Sequence, residues 1–240
     1  MLQTIEGVIT RTLKYGESSV ILDILTPSHG IKSYIIGGVR KKGKQNRSAI
    51  VSVLNLVKVE AYVKDNDKLS RIKEISYSHI YRSIPFDVVK SSLATLLVEV
   101  CRKAAKQSDD AEGIYNYIVK GLIHLDNTNA GLAHFHIQFL IGLAKHLGFE
   151  INNNYVAEEQ CFFDLRYGSF KTARIEHRLS LDEQNSKHLH SYLSDDDQLD
   201  IPKQSRKAIL LCLIDYYQYH IEGFGVLNSL DIILSLYESD

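Results

Sequence analysis

The residues best suited to chemistry by type and spacing lie in one stretch, Gly37-Gly38-Val39-Arg40-Lys41-Lys42-Gly43-Lys44-Gln45-Asn46-Arg47. Clustered cations repel one another and cannot be packed away, so this loop must be solvated. Its glycines let the backbone approach a ligand closely. A cationic loop of this kind suits a polyanion such as a nucleic acid. A sharper alternative is written in the same residues. Gly38 to Gln45 reads GVRKKGKQ, one residue short of the phosphate-binding pattern G-x-x-x-x-G-K-[ST]. The eighth position is Gln45, whose neutral amide is a poor substitute for the hydroxyl that holds Mg²⁺. The pattern should also open an apolar helix whose N-terminus faces the phosphate, and Gln45-Asn46-Arg47-Ser48 does not start one.

Other chemistry finds less support. His134 and His136 are two apart, as are His188 and His190, a spacing that points helical rings in different directions. These read as surface or cap histidines. Cys101, Cys161 and Cys212 are odd in number and widely spaced, which argues against disulfides and against a structural zinc site. There is no G-x-S-x-G, H-E-x-x-H or G-x-G-x-x-G pattern. The expectation is a binding protein with no catalytic residue, no metal and no cofactor.

The whole chain of 240 residues is nearly neutral, with 28 Lys+Arg against 29 Asp+Glu. That balance hides an asymmetry. Residues 1–82 hold 14 basic and 7 acidic side chains, net +7, which leaves 14 and 22, net −8, for the remainder. A basic front and an acidic back suggest two domains with different partners. The N-terminus lacks the layout of a signal peptide and no apolar run is long enough to span a bilayer, which points to the cytoplasm.

The elements that must position the loop follow. Residues 1 to about 80 read as β. Val20–Leu25 is a short apolar run. Gly30–Ile36 and Ala49–Leu54 are strand-like runs on either side of the loop. Val57, Val59, Ala61 and Val63 alternate with Lys58, Glu60, Tyr62 and Lys64, a half-buried strand. Asp65-Asn66-Asp67 turns the chain into Leu69–Ser78. Five strand candidates in roughly 80 residues suggest a small barrel. Its wet faces are expected to carry Lys14, Tyr15, Lys32, Tyr34, Lys58, Tyr62 and Lys64. Rings among cations suit a single strand, because bases stack while cations track phosphates. The expected nucleic-acid-binding set is Arg40, Lys41, Lys42, Lys44 and Arg47, with Lys14, Lys32, Arg71, Tyr34 and Tyr62 on the barrel.

Pro85 marks a change to helical periodicity. Val89, Leu93, Leu96, Leu97, Val100 and Ala104 share one face, and Gln107-Ser108-Asp109-Asp110 ends it. Further helices are expected at about 111–125, along the stripe Leu132, Phe135, Phe139, Leu143 and Leu147 with Gly148 as C-cap, and at about 182–193. Asp195-Asp196-Asp197 reads as a linker. Pro202 opens another helix, and a last one covers about 229–237. Between them Cys161–Phe170 resembles a short hairpin with Gly168 at its turn. The fold class is therefore α+β: a barrel of about residues 1–80, then helices over 81–240 with an insertion at about 150–180.

Several segments carry a family resemblance. Glu6-Gly7-Val8-Ile9, Tyr15-Gly16-Glu17-Ser18-Ser19 and Leu25-Thr26-Pro27-Ser28-His29-Gly30 resemble the start of bacterial RecO proteins, as does the basic loop. Phe135-x-x-x-Phe139-Leu140 with Leu147-Gly148-Phe149, then Ser205-Arg206 through Tyr216-Tyr217, His220-x-x-Gly223-Phe224 and Leu227-Asn228-Ser229-Leu230, are similar to that family's helical part. The resemblance spans nearly the whole chain. It implies an OB-fold barrel that binds single- and double-stranded DNA, and a helical domain that meets RecR and the acidic tail of single-strand-binding protein. It also implies strand annealing and RecA loading without ATP hydrolysis, at the nucleoid. An acidic tail ending in apolar residues needs a groove with a cation at its rim, for which Arg102, Lys103, Lys203, Arg206 and Lys207 are the candidates. Many such relatives carry four zinc-binding cysteines in the insertion. Here Cys161 alone stands there, so packing of Phe162, Phe163, Leu165 and Phe170 is expected to replace the metal. Two other readings stand beside the mediator: a nucleotide-hydrolysing enzyme using Gly38–Gln45, and a generic RNA-binding OB protein.

Overall fold

In the computed structural model, which describes residues 1–39, 48–63, 69–105, 109–173, 179–194 and 200–238, the chain opens with five strands. They are β1 (Leu2–Tyr15), β2 (Ser19–Thr26), β3 (Gly30–Ile36), β4 (Leu56–Tyr62) and β5 (Ser70–Tyr77). They close into a barrel in the order β1-β2-β3-β5-β4, with β3 parallel to β5 and all other pairs antiparallel. This is the topology of an OB-type barrel. Closure depends on the length of β1. Its first half pairs with β4 from Leu2↔Tyr62 to Val8↔Leu56, and its second half pairs with β2 as far as Tyr15↔Ser19. Where β1 passes over β2 only a glycine fits: a Cβ on Gly7 would lie 2.2 Å from Ile24 Cγ2 and 2.8 Å from the Leu25 carbonyl.

The alternation read at Val57, Val59 and Ala61 turns inward, and all three are fully buried with Ile9, Leu22 and Ile24. Each such Val, Leu or Ile side chain removed from water is worth about 1.5–3 kcal/mol. Ala49–Leu54, expected as a strand, is a run of turns instead. Ser52 N–H returns to the Ala49 carbonyl (3.3 Å), and the Asn55 carboxamide donates to the carbonyls of Ala49 (2.8 Å) and Ile50 (3.1 Å). Local hydrogen bonds outcompete strand pairing here, and Val51 is left to pack against the barrel core.

A short 3₁₀ turn (Ile84–Phe86) leads into α1 (Val88–Ala104), followed by α2 (Ala111–Asn127). Asp87 caps α1 by accepting from the Lys90 N–H (3.0 Å). The passage from barrel to helix is fixed by Asp126 on α2. Its buried carboxylate accepts the backbone N–H groups of Arg82 (2.8 Å), Ser83 (2.8 Å) and Ile84 (2.9 Å). The Lys90 ammonium, also buried, donates to Ser83 Oγ (2.8 Å) and to the Asp126 carbonyl (3.3 Å). Burial opposes the Asp126 charge, yet the hydrogen bonds from Arg82, Ile84 and Ser83 together hold its carboxyl below the ordinary 3.8. The barrel, α1 and α2 make one compact unit, Met1–Asn127.

The second unit, Thr128–Asp240, holds α3 (Leu132–His146), β6 (Phe162–Asp164), β7 (Ser169–Lys171), α4 (Glu183–Leu193), α5 (Lys203–His220) and α6 (Leu230–Leu236). Gly148 follows α3 at φ 81, as a left-handed cap requires. The β6–β7 hairpin buries Cys161, Phe163, Leu165 and Phe170. Its edge is completed by a side chain: Asn154 Oδ1 accepts the Phe170 N–H (2.8 Å) and Asn154 Nδ2 donates to the Phe170 carbonyl (3.0 Å). The linker Asp195-Asp196-Asp197, the turn Asp65-Asn66-Asp67 and Lys64 lie outside the described residues.

Candidate nucleic-acid interface

The basic cluster Arg40, Lys41, Lys42, Lys44 and Arg47 also lies outside the described residues, but both of its stems are described. On one side the Val39 N–H donates to the Ser18 carbonyl (2.9 Å). On the other, Thr12 Oγ1 donates to the Val51 carbonyl (2.6 Å). Both stems are thus tied to the far half of β1 and its turn into β2. Lys14 and Tyr15 lie between these two anchor points and are exposed, Tyr15 at 54%. The described residues after the loop, 48–54, are turns leading to β4, and none of them continues a helix of the kind the phosphate-binding pattern opens.

The register brings a second pair together. Arg71 on β5 lies opposite both Tyr62 on β4 and Ile35 on β3, two residues before Gly37. Arg71 is exposed and Tyr62 is 49% exposed. Following the partners around the barrel, Leu13, Ile21, Ile35, Arg71, Tyr62 and Leu2 form one outward row. Leu13 (41%) and Leu2 (44%) leave much of this row open to solvent. Sequence reasoning missed its apolar members. Only the pairing register reveals them, because each sits alone in its own strand.

Two barrel residues are placed differently from expectation. Tyr34, expected on a wet face, is 2% exposed and packs in the barrel core opposite Leu22. Burial pushes its phenol pKa up, and its ring is closed to a stacking base. The reason is register: Tyr34 and Ile36 share the inward face, and Ile31, Ser33 and Ile35 the outward one. Lys32 shares the Tyr34 face at half burial opposite Ile24, and at ~3.3 Å per residue it lies about 13 Å along β3 from Ile36, away from the loop stem.

In the second unit, His136 corrects the reading of surface histidines. It is 3% exposed and its Nε2 meets the Tyr237 hydroxyl at 2.7 Å, because α3 is apolar around most of its circumference. Burial, then Arg206 and His134, pushes its pKa down to about 3. His134 Nδ1 meets the Tyr192 hydroxyl at 2.6 Å. Arg206 joins this cluster by bonding to Tyr237, and its Nη1 donates to the Ile201 carbonyl (2.6 Å). Among the described residues no carboxylate pairs with Arg206, whereas Lys207 meets Glu238 at 3.3 Å. Lys203 opens the same helix, and Arg102 and Lys103 lie in the last turn of α1 in the first unit. Among the described residues no group of three or more His, Cys, Asp or Glu is placed to hold a metal, and no helix is long and apolar enough to cross a membrane.

A closed five-stranded barrel continued by helices places the chain in the OB-fold class, whose members include binders of oligonucleotides and of oligosaccharides. Comparison with known proteins narrows the class. The family described as "Recombination protein O N terminal" matches residues 1–81, and "Recombination protein O C terminal" matches residues 85–229. The chain is 27% identical over 241 residues to the DNA repair protein RecO of Phocaeicola vulgatus, covering 99% of this chain and all of that protein. It is 30% identical over 243 residues to the DNA repair protein RecO of Christiangramia forsetii, covering 99% and 100%. The RecO of Flavobacterium psychrophilum is 28% identical over 249 residues, covering 97% and 98%. The chain belongs to the RecO family.

Proposed function

We propose that the chain is a recombination mediator in DNA repair that binds DNA through its barrel and performs no covalent chemistry. The observation that carries this reading is the exposed pair Tyr62 and Arg71, side by side on the barrel and next to the stem of the basic loop. A ring beside a guanidinium can hold an unstacked base and its phosphate together. Cations of the loop lower the repulsion between two strands, so the protein anneals complementary single strands and also holds duplex. With RecR it loads RecA on single strands coated by single-strand-binding protein, in the cytoplasm at the nucleoid. The division of labour falls near residue 80, with a DNA-binding barrel and a helical domain for protein partners.

For the acidic tail of single-strand-binding protein, the cluster Lys203, Arg206 and Lys207 is favoured over Arg102 and Lys103. Arg206 has no carboxylate partner among the described residues and stands among the rings of His134, Tyr192 and Tyr237. Charge reversal at both clusters should abolish tail binding in fluorescence anisotropy; unchanged binding would discard this assignment.

The central experiment measures DNA affinity against salt for wild type and for Lys41→Ala/Lys42→Ala/Lys44→Ala. Each phosphate contact on a single strand contributes a log–log slope of about 0.7, so losing three flattens it by about 2. Affinity should fall alike for unrelated sequences, because phosphate contacts carry no base information. An unchanged slope with an intact fold removes the loop from the interface. Tighter binding to RNA than to DNA of equal length would favour the RNA-binding alternative. ATP turnover abolished by Lys44→Ala would favour the hydrolase.

A further inference from the structure

The acidic helical half displays an aromatic group where its own packing has no use for one. Tyr167 sits at the tip of the β6–β7 hairpin and is 66% exposed. Lys171 Nζ stands 4.6 Å from the centroid of its ring, and Arg166 Cζ stands 5.4 Å from it. Tyr219, 54% exposed on the last turn of α5, lies within electrostatic reach of Arg166. We propose that this hairpin tip is a second nucleic-acid contact, a platform for one unpaired base of single-stranded DNA and its phosphate. The proposal rests on the DNA-binding reading above and adds a site in the other unit.

Three features make the tip a built surface rather than a loose turn. The His220 imidazole donates from Nε2 to the Leu165 carbonyl (3.0 Å), which ties the hairpin to the end of α5. Gly168, at φ 58, is pressed against the Tyr216 hydroxyl, where a Cβ would come within 2.5 Å. The charge of Arg166 is used to hold the turn: its Nη2 donates to Asp164 Oδ2 (3.0 Å) and its Nε to Asp164 Oδ1 (3.3 Å), on a carboxylate that is itself buried. That leaves Lys171. Among the described residues no carboxylate pairs with it, and its flexible stem lets the ammonium move from the ring to a phosphate.

The ligand class follows from this geometry. An exposed ring with a neighbouring ammonium matches a base and its phosphate, and such stacking tolerates any base. Duplex DNA offers no unstacked base to it. The unit around the tip is acidic, so a strand must be held by these local contacts rather than drawn by the overall field. A strand held here leaves the barrel free for a second one, which is what annealing requires.

The test uses the full chain. Oligothymidylate carrying 5-iodouracil is photocross-linked to the protein, and adducts are mapped by mass spectrometry. Binding of plain oligothymidylate is measured for Tyr167→Ala, Tyr167→Phe and Lys171→Ala in the Lys41→Ala/Lys42→Ala/Lys44→Ala background. The expected results are an adduct within residues 162–171, residual affinity lowered about 5- to 150-fold by Tyr167→Ala, the contribution of one stacked base, and affinity retained by Tyr167→Phe. Circular dichroism should be unchanged, because the ring is exposed. Adducts confined to the barrel together with unchanged affinity in Tyr167→Ala would overturn the second site and leave the barrel reading intact. A wild-type chain that binds no DNA would overturn both. Cross-linking of oligouridylate in place of the DNA would overturn the assignment to DNA.

Discussion

Asp126→Ala is the substitution whose cost the structure defines most closely. The carboxylate accepts three backbone N–H groups, from Arg82, Ser83 and Ile84, and the Ser83 hydroxyl at 3.2 Å. Arg82 is exposed, so water can replace its partner, while Ile84 is buried and Ser83 half-buried. A donor left unsatisfied in such a place costs about 1–3 kcal/mol. Two of them give an expected loss of about 2–6 kcal/mol. Asp126→Asn keeps one acceptor oxygen and should lose roughly half as much. Urea unfolding followed by far-UV circular dichroism and tyrosine fluorescence measures this, since the chain has no Trp. Amide exchange at Ser83 and Ile84 should quicken in parallel. The pH dependence has a definite sign. The folded pKa of Asp126 lies below the ordinary 3.8, so its stabilisation is full above that value and fades as pH falls through the lower folded one. The gap between wild type and Asp126→Asn should therefore close on acidification below 3.8. A loss under about 1 kcal/mol at neutral pH, the net worth of one ordinary hydrogen bond, would refute the reasoning.

Other expectations are quicker to state. Tyr62→Ala should weaken single-strand binding by about 1–3 kcal/mol with stability unchanged, while Tyr34→Ala should destabilise the barrel by roughly 3–5 kcal/mol; the opposite pattern in titration and melting would reverse their assignments. Gly168→Ala forces a Cβ against the Tyr216 hydroxyl at a positive φ, so it should lower the melting temperature by several degrees, and an unchanged melt would show that the hairpin can shift away. The purified chain should carry no stoichiometric zinc by elemental analysis; about one zinc per chain would mean that histidines or carboxylates complete a site with Cys161.

Much of the barrel was legible because β4 buries one face and wets the other, so Val57, Val59 and Ala61 declare their side. β3 declared nothing comparable. Ile31 and Ile35 face one way, Tyr34 and Ile36 the other, and a period of two cannot choose between two apolar faces. The pair Tyr62 and Arg71 was out of reach for a related reason. A register shift between Glu60 and Ala61 places Tyr62 opposite Arg71, where an unbroken ladder from Glu60↔Glu74 would have set it against Ile72. Such a bulge leaves no mark in composition. The helical stripes were legible for α1, where Leu93, Leu96, Leu97 and Val100 are all buried. On α3 the same reasoning left His136 outside, since polar side chains count as solvent-facing until a buried hydroxyl such as that of Tyr237 is found for them.

The double duty of β1 sets a clock on synthesis. Its second half finds β2 across a tight turn as soon as both leave the ribosome. Its first half must wait for Tyr62, about 60 residues after Leu2, before its open flank is covered. At roughly 5–20 residues per second that interval is on the order of 3–12 s, during which the nascent protein shows an unpaired strand edge to its neighbours. β1, the first of the five barrel strands, is therefore among the last to be finished, and slower translation between β2 and β4 should lengthen the exposure and raise aggregation during expression.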